Sequence, residues 1–122
     1  MRTLIYLTTF IIWALGAKAA EIALPVSQEE ITIQSKGYKL FGTLQSPESK
    51  KNLSILLLIS GSGPTDRDGN QPNLTNNSMK YLAEELAQNG VASVRYDKRG
   101  IAKSAVPGFS NASVIFEDYV TD

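Results

Sequence analysis

The stretch LSILLLISGSGPTDRDGN, Leu53 to Asn70, decides how this chain is read. From Leu53 to Ile59 every residue except Ser54 is a large aliphatic. A strand with one wet face alternates apolar and polar residues, so this unbroken run predicts a strand covered on both faces, as in a parallel sheet. A glycine-rich loop carrying two aspartates follows at its carboxyl end, which is where open parallel sheets bind ligands. Gly61 and Gly63 free the backbone to turn and to approach a ligand closely. Ser62 between them can present an unobstructed amide N–H to a negative oxygen.

Outward from that loop, the pattern changes period. Met79, Leu82, Ala83, Leu86 and Ala87 recur at helical spacing, predicting an amphipathic helix from Asn77 to Asn89. Asn76 or Asn77 can cap its start, and Gly90 its end. Val91 to Tyr96, VASVRY, reads as a second strand, so strand, helix and strand form a βαβ unit. Upstream, ITIQS and YKLFGTL flank Lys36-Gly37 as an antiparallel hairpin, followed by the polar loop SPESKKN, residues 46–52. Downstream, NASVIFEDYVTD predicts the opening of a second helix, capped by Ser113 or Asn111 with Glu117 and Asp118 in its first turn. The fold class expected is therefore α/β: a hairpin, a parallel βαβ unit and the start of another helix.

The amino terminus differs in kind. Arg2, the apolar run Leu4 to Leu15 and the Ala17-Lys18-Ala19 sequence match a secretory signal peptide cut after Ala19. The run is shorter than the roughly 20 residues of a spanning helix, so stable membrane insertion is not expected. Residues 1–19 read as the signal, 20–30 as a leader and 31–122 as an incomplete folded domain. Of 122 residues, 12 are basic and 12 acidic; cleavage would leave a net charge of −2. Neither balance suits a nucleic acid or an anionic membrane as partner. Export permits disulfides, yet there is no cysteine, so stability has to come from a modest core.

Several ligands can be set aside on spacing. A dinucleotide fingerprint needs a third glycine where Asp66 stands, and two aspartates would repel a pyrophosphate; no Gly-Lys-Ser or Gly-Lys-Thr phosphate loop occurs. Counted from Asp66, the calcium-loop positions for glycine and glutamate hold Gln71 and Asn77. Zinc loses its usual ligands, because the chain has no histidine or cysteine. No cofactor and no metal is expected. A purely architectural reading also fits the loop, with Asp66 and Asp68 bonding backbone amides and pairing with Arg67.

RYDKRGIAKS, Arg95 to Ser104, follows the second strand. Together with LLLISGSGPTDRDGN and NSMKYLAEELAQNGVASVRYDKRG, it resembles the amino-terminal third of the α/β-hydrolase superfamily, and more narrowly its secreted bacterial esterase and serine-aminopeptidase-like branch. The resemblance runs from about Ile31 to Asp122. It implies that the loop after the first central parallel strand carries half of an oxyanion hole, with Gly61 as the loop's first glycine and the Ser62 backbone N–H as donor. Ser60 stands where the family commonly has histidine, and Ala102 where many relatives have glycine. One such donor is worth about 3 kcal/mol of transition-state stabilisation. The resemblance assigns Asp97 and Arg99 to organising neighbouring loops.

The resemblance also implies a nucleophilic serine, an acid and a histidine, in that order, later than anything in these 122 residues. No serine here sits in G-x-S-x-G: Ser62 has Ser60 and Pro64 at the flanking places, and Ser104 has Ala102 and Val106. Without histidine there is also no ordinary base to activate one. The expectation is a catalytically silent portion of a hydrolase whose intact form takes a small ester or peptide substrate. The bare apolar strand edge should make this chain prone to self-association. Two other classes fit the residues less closely: a non-catalytic exported binding domain, which would stay soluble at this length, and a nucleotide-binding module.

Overall fold

Two adjacent residues with positive φ organise the first half of the chain. In the computed structural model, which describes residues 23–48, 51–109 and 114–120, Lys36 and Gly37 have φ of 43° and 85°. That pair of left-handed residues is the signature of a type I′ turn, whose twist matches the strands it joins. It connects β1 (Val26–Ser35) to β2 (Tyr38–Pro47) in an antiparallel register running from Ser35 opposite Tyr38 to Val26 opposite Pro47. The hairpin is longer than its sequence suggests. Gln28, Glu29 and Glu30, polar and read as leader, lie in β1, where exposed polar residues cost a strand little. The signal-peptide assignment and the caps proposed at Asn111 and Ser113 lie outside the described residues.

β2 then pairs antiparallel with β4 (Ala92–Tyr96), from Gly42 opposite Tyr96 to Gln45 opposite Ser93. Gly42 is demanded by this crowding: a Cβ there would lie 3.0 Å from the Arg95 carbonyl oxygen and 3.1 Å from Ile31 Cγ1. β3 (Ile55–Leu58) pairs parallel with β4, so the mixed sheet has the order β1-β2-β4-β3. The helix α1 (Ser78–Gln88) connects these parallel strands and packs on β4 and β2 through Ala83 and Ala87, both fully buried. Two alanines let the helix come close to the sheet. Leu40, Ala92, Tyr96 and Ile101 complete a small apolar core.

One expectation needs correction. The apolar strand is not covered on both faces: Ile55 is 60% exposed and Leu57 57%, because α1 leans on the middle of the sheet and leaves the edge strand open. Of the two cap candidates, Asn77 sits at the N-cap with φ 51° and makes no side-chain cap bond, while the Asn76 side chain accepts one of the first amides. Ser78 N donates to Asn76 Oδ1 at 2.9 Å, while Met79 N donates to the Asp68 carbonyl at 3.1 Å. The second helix forms as expected, as α2 (Phe116–Val120), with Glu117 and Asp118 in its first turn.

Candidate functional site

The loop after β3 divides into two parts with different work. Asp66 to Asn70 is bonded to itself and to α1. Asp66 Oδ1 accepts from the amides of Asp68, at 2.9 Å, and Asn70, at 2.7 Å. The Asn70 side chain accepts from the amides of Asn76 and Asn77 and donates to Asn77 Oδ1. Gly69, at φ 94°, lies so close to the helix that a Cβ would sit 2.5 Å from Ser78 Oγ. The DRDGN segment is thus the docking piece that brings the helix amino terminus against the loop.

Its charges are wired to the sheet. Arg67 N donates to Asp97 Oδ1 at 2.8 Å, and the Arg67 guanidinium pairs with Glu30 at 2.9 Å and with Asp97 at 3.7 Å. Asp68 pairs with Arg95 at 2.8 Å, so the architectural pairing expected of Asp68 with Arg67 is replaced by a longer-range one. Arg95 projects from β4, is 1% exposed, and also donates to Gln45 Oε1. Asp97 is equally buried; its Oδ2 accepts from Lys103 N at 3.3 Å, and its carbonyl accepts from Ser104 Oγ at 2.7 Å. Burial raises the Asp97 carboxyl from its ordinary range, against the Arg67 amide and charge. For Glu30 the balance is reversed. Burial opposes its charge, yet bonds from Lys103, Arg67 and Thr43 prevail and hold it at about 2.

Arg99 faces elsewhere. Its guanidinium lies 4.2 Å from the centre of the Tyr38 ring and 3.3 Å from Asp118, tying the hairpin to α2. A stacked planar cation of this kind suits arginine better than lysine.

In the other part of the loop, Ser60 to Thr65, the residues Ser60 to Gly63 rim a cavity of about 500 Å³. Ile59, Tyr96, Phe116 and Val120 form its apolar walls, and Gly61, Ser62 and Gly63 one edge. Ser60 Oγ closes the loop by donating to the Thr65 carbonyl at 3.1 Å. Gly63 has φ 83° and needs to be glycine for that reason. Gly61 has no positive φ, and a Cβ there would meet nothing within 4 Å, so its contribution is open space beside the cavity rather than a forced turn. Among the described residues, the Ser62 amide donates to no other group. An open apolar hollow with a spare backbone donor on its rim is able to hold a small apolar ligand and meet one polar oxygen of it.

Of the residues singled out from sequence, Gly61, Ser62 and Gly63 line this cavity, whereas Asp66, Arg67, Asp68 and Asp97 gather in the charged network and Arg99 stands against α2. Sequence reading passed over Lys98, Arg95 and Glu30. Lys98 lines the cavity and is 5% exposed; its Nζ donates to the carbonyls of Gly61 and Gly63, the latter at 3.2 Å. Burial lowers its pKa. A signal existed for Arg95: a charged residue inside VASVRY, with acids in the loop of the neighbouring strand to receive it.

No protein-family model and no curated protein sequence matches the chain. Solved structures do resemble its fold. The esterase Est22 matches with a TM-score of 0.58 at 21% identity over 83% of this chain. A bacterial heroin esterase matches at 0.52 and 18% over 86%, and a cold-adapted esterase from an Arctic intertidal metagenomic library at 0.50 and 17% over 64%. This chain spans 28–30% of the length of these three proteins. Structural likeness at such identities establishes a shared fold, and the mixed four-stranded sheet with its helix is consistent with part of an α/β-hydrolase fold. Among the described residues, no helix is long and apolar enough to cross a membrane.

Proposed function

We propose that this chain is the amino-terminal part of a secreted serine hydrolase, of the esterase and serine-aminopeptidase-like kind, that cleaves an ester or amide of a small acyl or peptidyl substrate through an acyl-enzyme. The Ser62 amide donates to the oxygen that turns negative as the acyl carbon becomes tetrahedral. Gly61 leaves that oxygen room, and Gly63 returns the chain. Asp66, Arg67, Asp68, Asp97 and Arg99 structure the loops and touch no substrate. Nucleophile, acid and histidine are not supplied by these residues, so the chain alone is silent. No cofactor or metal takes part. The single observation carrying the reading is the spare Ser62 amide on the rim of an apolar cavity, beside the carboxyl ends of two parallel strands, in a sheet whose structural neighbours are esterases.

The test compares the purified chain with the gene product read onward in frame, using a chromogenic acetate ester and a serine-directed phosphonate. Hydrolysis and labelling are expected only in the longer product, with the labelled serine beyond Asp122. Losing a nucleophile or base costs such enzymes about a millionfold, so the short chain should not exceed the blank. A phosphonate-sensitive activity in the chain alone would overturn the placement of the nucleophile. Export is checked separately by the mass of the mature amino terminus, expected to begin at Ala20.

A further inference from the structure

Lys98 ends in an unusual place for an ammonium group. It follows β4, is almost wholly buried, and directs its charge at two backbone carbonyls of the neighbouring strand's loop, those of Gly61 and Gly63. These are the residues on either side of Ser62. In a trans peptide the C=O and the following N–H point in opposite directions, and no cis bond occurs among the described residues. Anchoring the Gly61 carbonyl on Lys98 therefore turns the Ser62 N–H away from Lys98. The Gly63 carbonyl is held from two sides, by Lys98 and by the Thr65 amide at 2.8 Å, and the next residue, Pro64, has no N–H to compete as a donor. A cation on the carbonyl end of a peptide also polarises it, which makes its N–H a stronger donor.

We propose that Lys98 is the positioning residue of the Ser62 amide: by gripping the Gly61 and Gly63 carbonyls it fixes the peptide plane that aims and polarises this donor at the developing oxyanion. The inference rests on the hydrolase reading above and deepens it. Lys98 acts through the loop backbone and takes no proton from substrate. Its interest lies in separating catalysis from stability, because the cost of desolvating a buried ammonium offsets much of what its bonds to the exposed loop contribute to the fold.

The experiment uses the intact gene product with Lys98→Met, Lys98→Arg and the parent residue. Lys98→Met is expected to retain the melting temperature, to leave KM for the acetate ester unchanged and to lower kcat about tenfold to a hundredfold, somewhat less than deleting a donor outright. Lys98→Arg, which keeps charge and donors, should recover a measurable part of kcat. Amide hydrogen exchange on the same proteins reads the geometry without reference to activity: exchange at Ser62 should change in Lys98→Met and return towards the parent in Lys98→Arg. Unchanged exchange at Ser62 overturns the inference whatever the kinetics. Changed exchange with kcat intact, or a loss confined to KM, overturns its catalytic part. A parent protein inert to both ester and phosphonate overturns instead the hydrolase reading on which the inference stands, even where the exchange result holds.

Discussion

Asp97 and Glu30 share one arginine that favours the charge of both, yet their carboxyls shift in opposite directions, because burial prevails at Asp97 and hydrogen bonds prevail at Glu30. Both pair with Arg67, but Asp97 is inside the protein and Glu30 at its rim. Asp97 also accepts the Arg67 amide, so Asp97→Ala would strand that buried donor and leave the buried guanidinium with Glu30 as its remaining ion-pair partner. The expected cost is about 3 kcal/mol, read as a lowered urea midpoint by circular dichroism. Glu30 supplies the pH test. Its folded pKa, about 2, lies below the ordinary 4.5, so its stabilising effect is complete above the unfolded value and is lost as pH falls through the folded one. The stability difference between the parent and Glu30→Gln should thus be constant near neutrality and shrink between about pH 5 and about pH 2. Asp97, with its pKa raised, contributes the opposite slope in both proteins and cancels from the comparison. A difference that does not change over this range would show that Glu30 ionises as it does in the unfolded chain.

At the scale of elements, the junction between the DRDGN loop and α1 carries the arrangement. The helix starts where loop carbonyls and asparagine side chains meet its first amides, and Gly69 lets the two approach. Gly69→Ala adds a side chain at positive φ and against Ser78, so a loss of about 2 kcal/mol is expected by thermal melting. Gly37→Asn is the matched control: its φ is also positive, but nothing lies within 4 Å and asparagine suits a type I′ turn. It carries the backbone strain without the helix contact, so it should melt below the parent but lose less than Gly69→Ala. Equal losses in the two variants would mean that strain alone, without the helix contact, sets the cost. The hairpin turn and the helical stripe were legible in the sequence, because Lys36-Gly37 and the spacing of Ala83 and Ala87 act locally. The cap was legible in part: Asn76 was one of two candidates, whereas the second acceptor, the carbonyl of Asp68, is a backbone group that every residue possesses.

For the whole molecule, the open strand is the decisive feature. β3 lies at the sheet edge with Ile55, Leu56 and Leu57 exposed, and α1 does not cover it. Unpaired backbone groups beside apolar side chains are a template for another copy. We expect the scattering mass of the purified chain to grow with concentration, and Leu57→Lys to delay that growth. A chain that stays monomeric at high concentration with its full strand content would contradict this. Phe116 and Val120 of α2 are likewise exposed on the cavity wall, so this surface too is open to self-contact.

Sequence alone determined the order of the elements, the turn between the first two strands, the helical face and the place of the glycine loop, all of which follow from side-chain periodicity and local backbone preference. Only the tertiary structure decided which charge meets which: Arg67 with Glu30 and Asp97, Arg95 with Asp68, Lys98 with the carbonyls around Ser62. Those partners lie 27 to 37 residues apart. Periodicity tells a strand which face is apolar; it cannot tell a buried cation which loop will fold over it, because that depends on the pairing of β3 with β4.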